Sequence, residues 1–220
     1  MISIGVTGTD TGIGKTIVSR SIVAGLRGRY ARVAAMKPVE SGGTEDAESL
    51  WRATGMAYPM KHVGPVTLAD PLAPLVAARR AETPVDLGAI DDAFGLLCAD
   101  SDAIVVEGAG GLLVPITEDE SFATLFRRWR LELVIVAPNR LGTVNHTLLT
   151  VRAAREFGLR IRAVVLNTIT DQPEGLPERT NLELLRELLP NIRVIPFAFT
   201  RTPDDASNIS LTSLGFDNAP

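Results

Sequence analysis

Six short runs of this chain, at 2–7, 32–39, 103–107, 131–137, 161–167 and 193–197, are of strand length and rich in valine, isoleucine and leucine. A strand with one wet face alternates apolar and polar residues. Runs such as AIVVE and LELVIVA do not alternate, so both of their faces must be covered. Between the runs lie amphipathic stretches near 14–28, 45–55, 71–81, 86–99, 121–130, 142–157 and 178–189, which read as helices. Strand and helix in alternation predict a doubly wound α/β fold, a mostly parallel sheet with helices on both faces.

In such folds ligands gather beyond the C-terminal ends of the strands. The unusual chemistry of this sequence clusters there. TGTDTGIGKT follows the first run, KPVESGG closes the second, EGAGG ends the third, PNRLGT follows the fourth and NTITD the fifth. The opposite ends read as plain turns. There is no internal repeat, low-complexity segment or linker, so the 220 residues are expected to form one domain, 1–220. The turn-rich tail from Arg201 is expected to be a lid or a loosely ordered end.

Charge excludes several classes of partner. The net charge is −4, and no block of like charges suggests a nucleic-acid arm or a membrane-surface patch. No apolar run approaches the roughly 20 residues of a membrane span, and the chain opens as a strand rather than a leader. The single cysteine, Cys98, lies in the apolar run AFGLLCAD and can make no internal disulfide; it reads as a core residue of a cytoplasmic protein.

Glycines after a strand, then Gly14-Lys15-Thr16, then the helical pattern TIVSRSIVAGLRG, form the context of a phosphate-binding loop. Glycine lets backbone N–H groups turn toward phosphate oxygens, and the first turn of the helix adds unpaired donors. Lys15 would reach the β- and γ-phosphates, and the Thr16 hydroxyl would ligate Mg²⁺. Five residues separate Gly8 from Gly14, one more than the usual spacing. Mg²⁺ prefers hard oxygen ligands, which points to Glu107 at the end of AIVVE and to Asp46 in ESGGTEDAESL; Asp46 would otherwise cap a helix. Gly108, Gly110 and Gly111 suit a backbone that approaches a ligand closely. Lys37, ahead of Pro38, offers a second cation for charge that develops during phosphoryl transfer. In LGTVNHTLLT, Thr143 or Asn145 would cap a helix whose N–H groups suit a carboxylate, while His146 reads as a packed or capping group. Asn167, ending the fifth run, could hydrogen-bond a base edge. Neither zinc-ligand spacing nor a serine or cysteine nucleophile constellation is present.

TGTDTGIGKT, KPVESGG, VVEGAGGLLVP, LGTVNHTLLT and VVLNTI, in this order and spacing, resemble the dethiobiotin synthetases over about residues 3–200. Members of that family carry the same long loop spacing. The resemblance implies a parallel sheet of about seven strands, a homodimer with its site at the subunit interface, and one ATP- and Mg²⁺-dependent step of biotin synthesis. It implies that CO₂ (or bicarbonate) forms a carbamate on N7 of 7,8-diaminononanoate, that ATP phosphorylates the carbamate, and that the N8 amine closes the ureido ring. Carried over by residue, Lys15, Lys37 and Thr11 would be catalytic, and Thr16, Asp46 and Glu107 would hold Mg²⁺. Gly12, Ile13, Gly14, Lys15, Thr16 and Ile17 would wrap the phosphates, with Gly108, Ala109 and Gly110 beside them. Ser41 would contact the diamine or carbamate. Gly142, Thr143, Val144 and Asn145, from the partner subunit, would bind the distal carboxylate. Asn167, Pro196, Phe197 and Ala198 would line the base pocket. Gly12 stands where some members carry glutamate, and FAFTRTPDD lacks an acidic residue that some carry just after the proline.

Three alternatives compete. MinD- and ParA-like partitioning ATPases carry a lysine where this chain has Asp10, and usually a membrane- or DNA-binding feature. Amide ligases of the cobyrinic-acid type normally add a glutamine-hydrolysing domain with a nucleophilic cysteine. A non-enzymatic nucleotide-binding module would leave Lys37 and Glu107 without a task.

Overall fold

The structure is a computed structural model that describes residues 1–173, 175–200 and 212–215. In chain order the elements are β1 (Ile2–Gly8), α1 (Lys15–Arg27), β2 (Val33–Met36), β3 (Val39–Ser41), α2 (Glu45–Ala53), α3 (Met60–Val63), β4 (Val66–Leu68), α4 (Pro74–Arg80) and α5 (Leu87–Ala99). They continue as β5 (Ala103–Gly111), α6 (Phe122–Arg128), β6 (Glu132–Pro138), α7 (Thr143–Glu156), β7 (Ile161–Asn167), α8 (Leu176–Leu188) and β8 (Arg193–Phe197).

The main sheet has six strands in the order β2-β5-β1-β6-β7-β8, all parallel. The doubly wound α/β reading holds, with the six-stranded sheet supplemented by a separate parallel pair, β3 and β4. Buried side chains explain the arrangement. Ile4 and Val6 of β1, Ile104 to Val106 of β5 and Leu133 to Val136 of β6 have no solvent exposure, as strands covered on both faces require. On α1, Val18, Ile22, Val23 and Leu26 recur at helical spacing and are fully buried. Each such side chain contributes about 1.5–3 kcal/mol relative to exposure.

The run at 32–39 divides where the sequence reading kept it whole. Pro38 has no N–H to give a ladder, so β2 ends at Met36. The Lys37 N–H donates instead to the Val63 carbonyl at 2.7 Å, and the chain leaves the sheet to form β3. The short elements β3, α3 and β4 were not legible in the sequence. β5 is longer than its apolar run and carries EGAGG as strand.

The helix at 142–157 is present, but its expected side-chain cap is not. Gly142 is the N-cap at φ 92°, Thr143 is already helical, and no side chain caps the end. Likewise α2 is preceded by Thr44, and Asp46 lies inside its first turn rather than capping it. Cys98 packs partly buried against the core, and burial pushes its thiol up, away from reactivity. No helix among the described residues is long and apolar enough to cross a membrane. Most of the tail from Arg201 lies outside the described residues; of those described, Leu214 is buried and the Gly215 carbonyl accepts a hydrogen bond from Arg162 at 3.1 Å.

Candidate active site

β1 lies at the centre of the sheet, between β5 and β6, and the loop that leaves it turns into α1 above the strand ends. The turn is possible because Gly14, at φ 87°, takes a left-handed conformation that side chains disfavour. A Cβ there would lie 2.3 Å from the Asn167 amide nitrogen. That amide, at the end of β7, donates to the Ile13 carbonyl at 2.8 Å and so pins the loop from two strands away. A cleft of about 560 Å³ opens over the loop. Its walls include Thr11 and residues 12–16, then Lys37, Ser41 and Asp46, with Ala109 and Gly110 opposite. Ile17 faces away from the cleft, packed against the core.

Four side chains, from α1, the link between β2 and β3, α2 and β5, meet at the floor of this cleft. The Thr16 hydroxyl lies 2.6 Å from Asp46 Oδ1 and 3.0 Å from Glu107 Oε1. Lys37 Nζ lies 2.6 Å from Asp46 Oδ2 and 2.7 Å from Glu107 Oε1, and 3.4 Å from the Gly108 carbonyl. Lys37 is 2% exposed and Glu107 wholly buried, so this is a buried ion pair and not a surface contact. Burial works against the Lys37 charge, but Glu107 and then Asp46 outweigh it and hold the ammonium above the usual lysine range. Lys15 goes the other way: burial lowers it, against the pull of Glu107, and the like charge of Lys37 adds to the lowering. Its ammonium donates to the Asp10 carbonyl at 3.0 Å, folded back against its own loop. Glu107 Oε2 is buried without a hydrogen-bond partner. An orphaned carboxylate oxygen beside a second carboxylate and a hydroxyl is a set of hard oxygen donors that fits Mg²⁺.

Partial burial works against the charge of Asp46, but Lys37 and the Thr16 hydroxyl hold its carboxyl below the usual carboxylate range. The sign follows from linkage: a depressed carboxylate stabilises the fold above its unfolded value of about 3.9 and loses that contribution as pH falls through the folded value. In metal-free protein the Asp46→Asn variant is therefore expected to be less stable than wild type at pH 7, with the gap closing below about pH 4. Denaturant titrations across pH 3–7 measure this; a gap of constant size would rule out the charge as its source.

A family model described as an AAA domain matches residues 3–197. The ATP-dependent dethiobiotin synthetase BioD of Anaeromyxobacter sp. (strain Fw109-5) is 47% identical over 174 residues, 76% of this chain and 78% of that protein. The synthetase of the same name from Methanocaldococcus jannaschii is 38% identical over 200 residues, 89% of this chain and 93% of its own. This chain belongs to the dethiobiotin synthetase family. Among solved structures, a ParA family ATPase from Chlorobium tepidum TLS superposes with a TM-score of 0.54 at 14% identity, covering 99% of this chain and 95% of that one. That likeness concerns the fold alone.

Within this family member the remaining expected site residues lie elsewhere. Pro196, Phe197 and Ala198 line a second groove of about 470 Å³ at the ends of β7 and β8, together with Asn139, Thr168, Glu178 and Arg179. Asn167 is paired across the ladder with Phe197, and one of its two amide N–H groups is committed to the Ile13 carbonyl. Thr143 is buried and its hydroxyl has no partner, whereas Gly142 and Asn145 are exposed and Val144 is half-buried. None of these four lines the cleft over the phosphate loop.

Glu40 is a site residue that residue type and spacing alone do not mark. It is buried on β3, lines the cleft, and accepts the backbone N–H groups of Asp46 at 2.8 Å and Ala47 at 2.9 Å. Burial, more than the N–H bonds offset, pushes its carboxyl up. The signal was a carboxylate just before two glycines and a helix start, in VESGGTED. Asn139 and Asn181 were also missed; the Asn181 amide donates to Asn139 Oδ1 at 3.0 Å and ties α8 to the end of β6.

Proposed function

We propose that this chain is an ATP- and Mg²⁺-dependent dethiobiotin synthetase that closes the ureido ring of 7,8-diaminononanoate with CO₂ and releases ADP and phosphate. One observation carries the reading: Lys37 is fixed in the same cleft as the phosphate loop and Ser41, as a second buried cation beside the phosphoryl donor's seat. A protein that only held nucleotide would need the loop alone.

In this reading residues 12–17 wrap the triphosphate with backbone N–H groups, and Lys15 leaves the Asp10 carbonyl for the β- and γ-phosphates. Thr16, Asp46 and Glu107 hold Mg²⁺, which when bound neutralises charge on the phosphate oxygens. The carbamate on N7 of the diamine lies against Ser41, with Thr11 across the cleft. Lys37 offsets the carbamate's charge and then the charge of the moving phosphoryl group. The carbamate oxygen attacks the γ-phosphorus and ADP leaves. N8 next attacks the carbonyl of the mixed anhydride, losing a proton and expelling phosphate as the ring closes. The protein supplies no nucleophile; it positions and neutralises.

Gly108, Ala109 and Gly110 let the backbone of β5 border the nucleotide. Asn167, through its remaining oxygen, and Pro196, Phe197 and Ala198 receive the base. Gly142, Thr143, Val144 and Asn145 take the diamine's carboxylate at the N-terminus of α7 in a second copy of the chain. Leu141 and Leu149, exposed on that turn and helix, support a covering partner there. The chain would work as one domain, in the cytoplasm, where its single partly buried thiol needs no partner.

The deciding experiment is ADP release from purified protein with MgATP and bicarbonate, with and without 7,8-diaminononanoate. Release that depends on the diamine, with dethiobiotin formed one for one, is expected. Release indifferent to the diamine would reject the acceptor.

A further inference from the structure

Helix α2 begins without help from its own N-cap. Thr44 makes no side-chain capping bond, and its hydroxyl turns to Glu48 Oε1 at 3.0 Å. Two N–H groups of the first turn are nonetheless satisfied, because Glu40 reaches them from β3. One carboxylate oxygen accepts the Asp46 N–H at 2.8 Å and the other accepts the Ala47 N–H at 2.9 Å. Glu40 is only 6% exposed, so these bonds form away from competing water, and a negative charge at a helix N-terminus is favourable.

We infer that Glu40 is a positioning residue that sets the metal carboxylate of Asp46. Two oxygens on two successive N–H groups fix both the place and the rotation of the first turn. Asp46 is itself one of the two residues gripped, so its side chain leaves the helix in a single direction. In that direction it meets Thr16 and Lys37, each at 2.6 Å. The grip is anchored because β3 is paired with β4, Glu40 facing Thr67 in the ladder. The next residue, Ser41, lines the cleft, so one short strand carries both the acceptor's wall and the hold on the metal carboxylate. Without Glu40 the two N–H groups lose their acceptors, the first turn loosens, and Asp46 no longer presents its oxygens with those of Glu107. This inference rests on the proposed function only in taking Asp46 as a ligand of the divalent ion.

The test uses Mn²⁺ as the probe, titrated into full-length protein with saturating ADP and followed by the electron paramagnetic resonance of free Mn²⁺. Glu40→Ala is expected to weaken Mn²⁺ binding about tenfold or more while metal-free ADP affinity stays as in wild type. Asp46→Ala should lose at least as much, and the double variant no more than Asp46→Ala alone, because Glu40 acts through Asp46. Glu40→Gln, which keeps the shape and one good acceptor, should fall between. A role confined to folding would lower the melting temperature and leave Mn²⁺ affinity of the folded protein unchanged.

Mn²⁺ affinity in Glu40→Ala within about twofold of wild type, or losses that add in the double variant, would overturn the inference. If Glu40→Ala does not fold, Glu40→Gln decides: affinity equal to wild type overturns it. Wild type that binds no Mn²⁺ would overturn it too. No arm contains the diamine, so failure to form dethiobiotin would reject the synthetase reading and leave this result standing.

Discussion

Replacing Lys37 with alanine is expected to lower kcat for dethiobiotin formation about a hundred- to a thousandfold, with ATP affinity changed no more than a few-fold. The asymmetry follows from position. The ammonium is buried against Glu107 and Asp46, and its charge is needed most when the phosphoryl group is in transit. The same substitution leaves Glu107 wholly buried without its cation, which costs about 3–5 kcal/mol of stability. Kinetics are therefore measured at a temperature where denaturant titration finds the variant folded. Equal losses of kcat and ATP affinity would assign Lys37 to nucleotide binding alone.

Gly14→Val is expected to weaken nucleotide binding on the order of a hundredfold or more and to abolish diamine-dependent ADP release. Gly14 sits at φ 87°, where a β-branched residue costs about 1–3 kcal/mol. Its Cβ would also strike the Asn167 amide at 2.3 Å, breaking the bond to the Ile13 carbonyl. The loop is at the surface of the sheet and can relax, so the sheet keeps its stability while the phosphate cradle loses its shape. Equilibrium binding of a fluorescent ATP analogue reads the effect. Affinity within a few-fold of wild type would mean that the loop's backbone does not hold phosphate.

The order of strands and helices was legible because doubly covered strands leave unbroken apolar runs, and because glycine and lysine at their ends have no structural reason to cluster. Thr16, Asp46, Glu107 and Lys37 were each marked by residue type at a strand or helix end, and the structure sets Thr16 and Lys37 each within hydrogen-bonding reach of both Asp46 and Glu107. What stayed hidden was short or depended on distant partners. β3 and β4 pair over three residues each, too few for a periodic signal. Glu40 looked like any polar strand end, because its acceptors' partners are backbone N–H groups that carry no residue identity. Thr143 and Asn145 looked like caps by propensity, yet Gly142 takes the position with a left-handed backbone and no side chain. Asn167 was marked as polar at a strand end, but its link to Ile13 spans 154 residues and no local pattern encodes it.

That last link bears on when the protein becomes competent during its own synthesis. The phosphate loop is synthesised 154 residues ahead of the asparagine that pins it. Its final shape waits for β7, which must be made and docked beside β6 before the Asn167 amide can reach Ile13. Long-range parallel pairing of this kind is slow to form. A nascent chain that lacks β7 therefore lacks the finished cradle, and a ligand of that cradle would stabilise the completed fold rather than its early fragments.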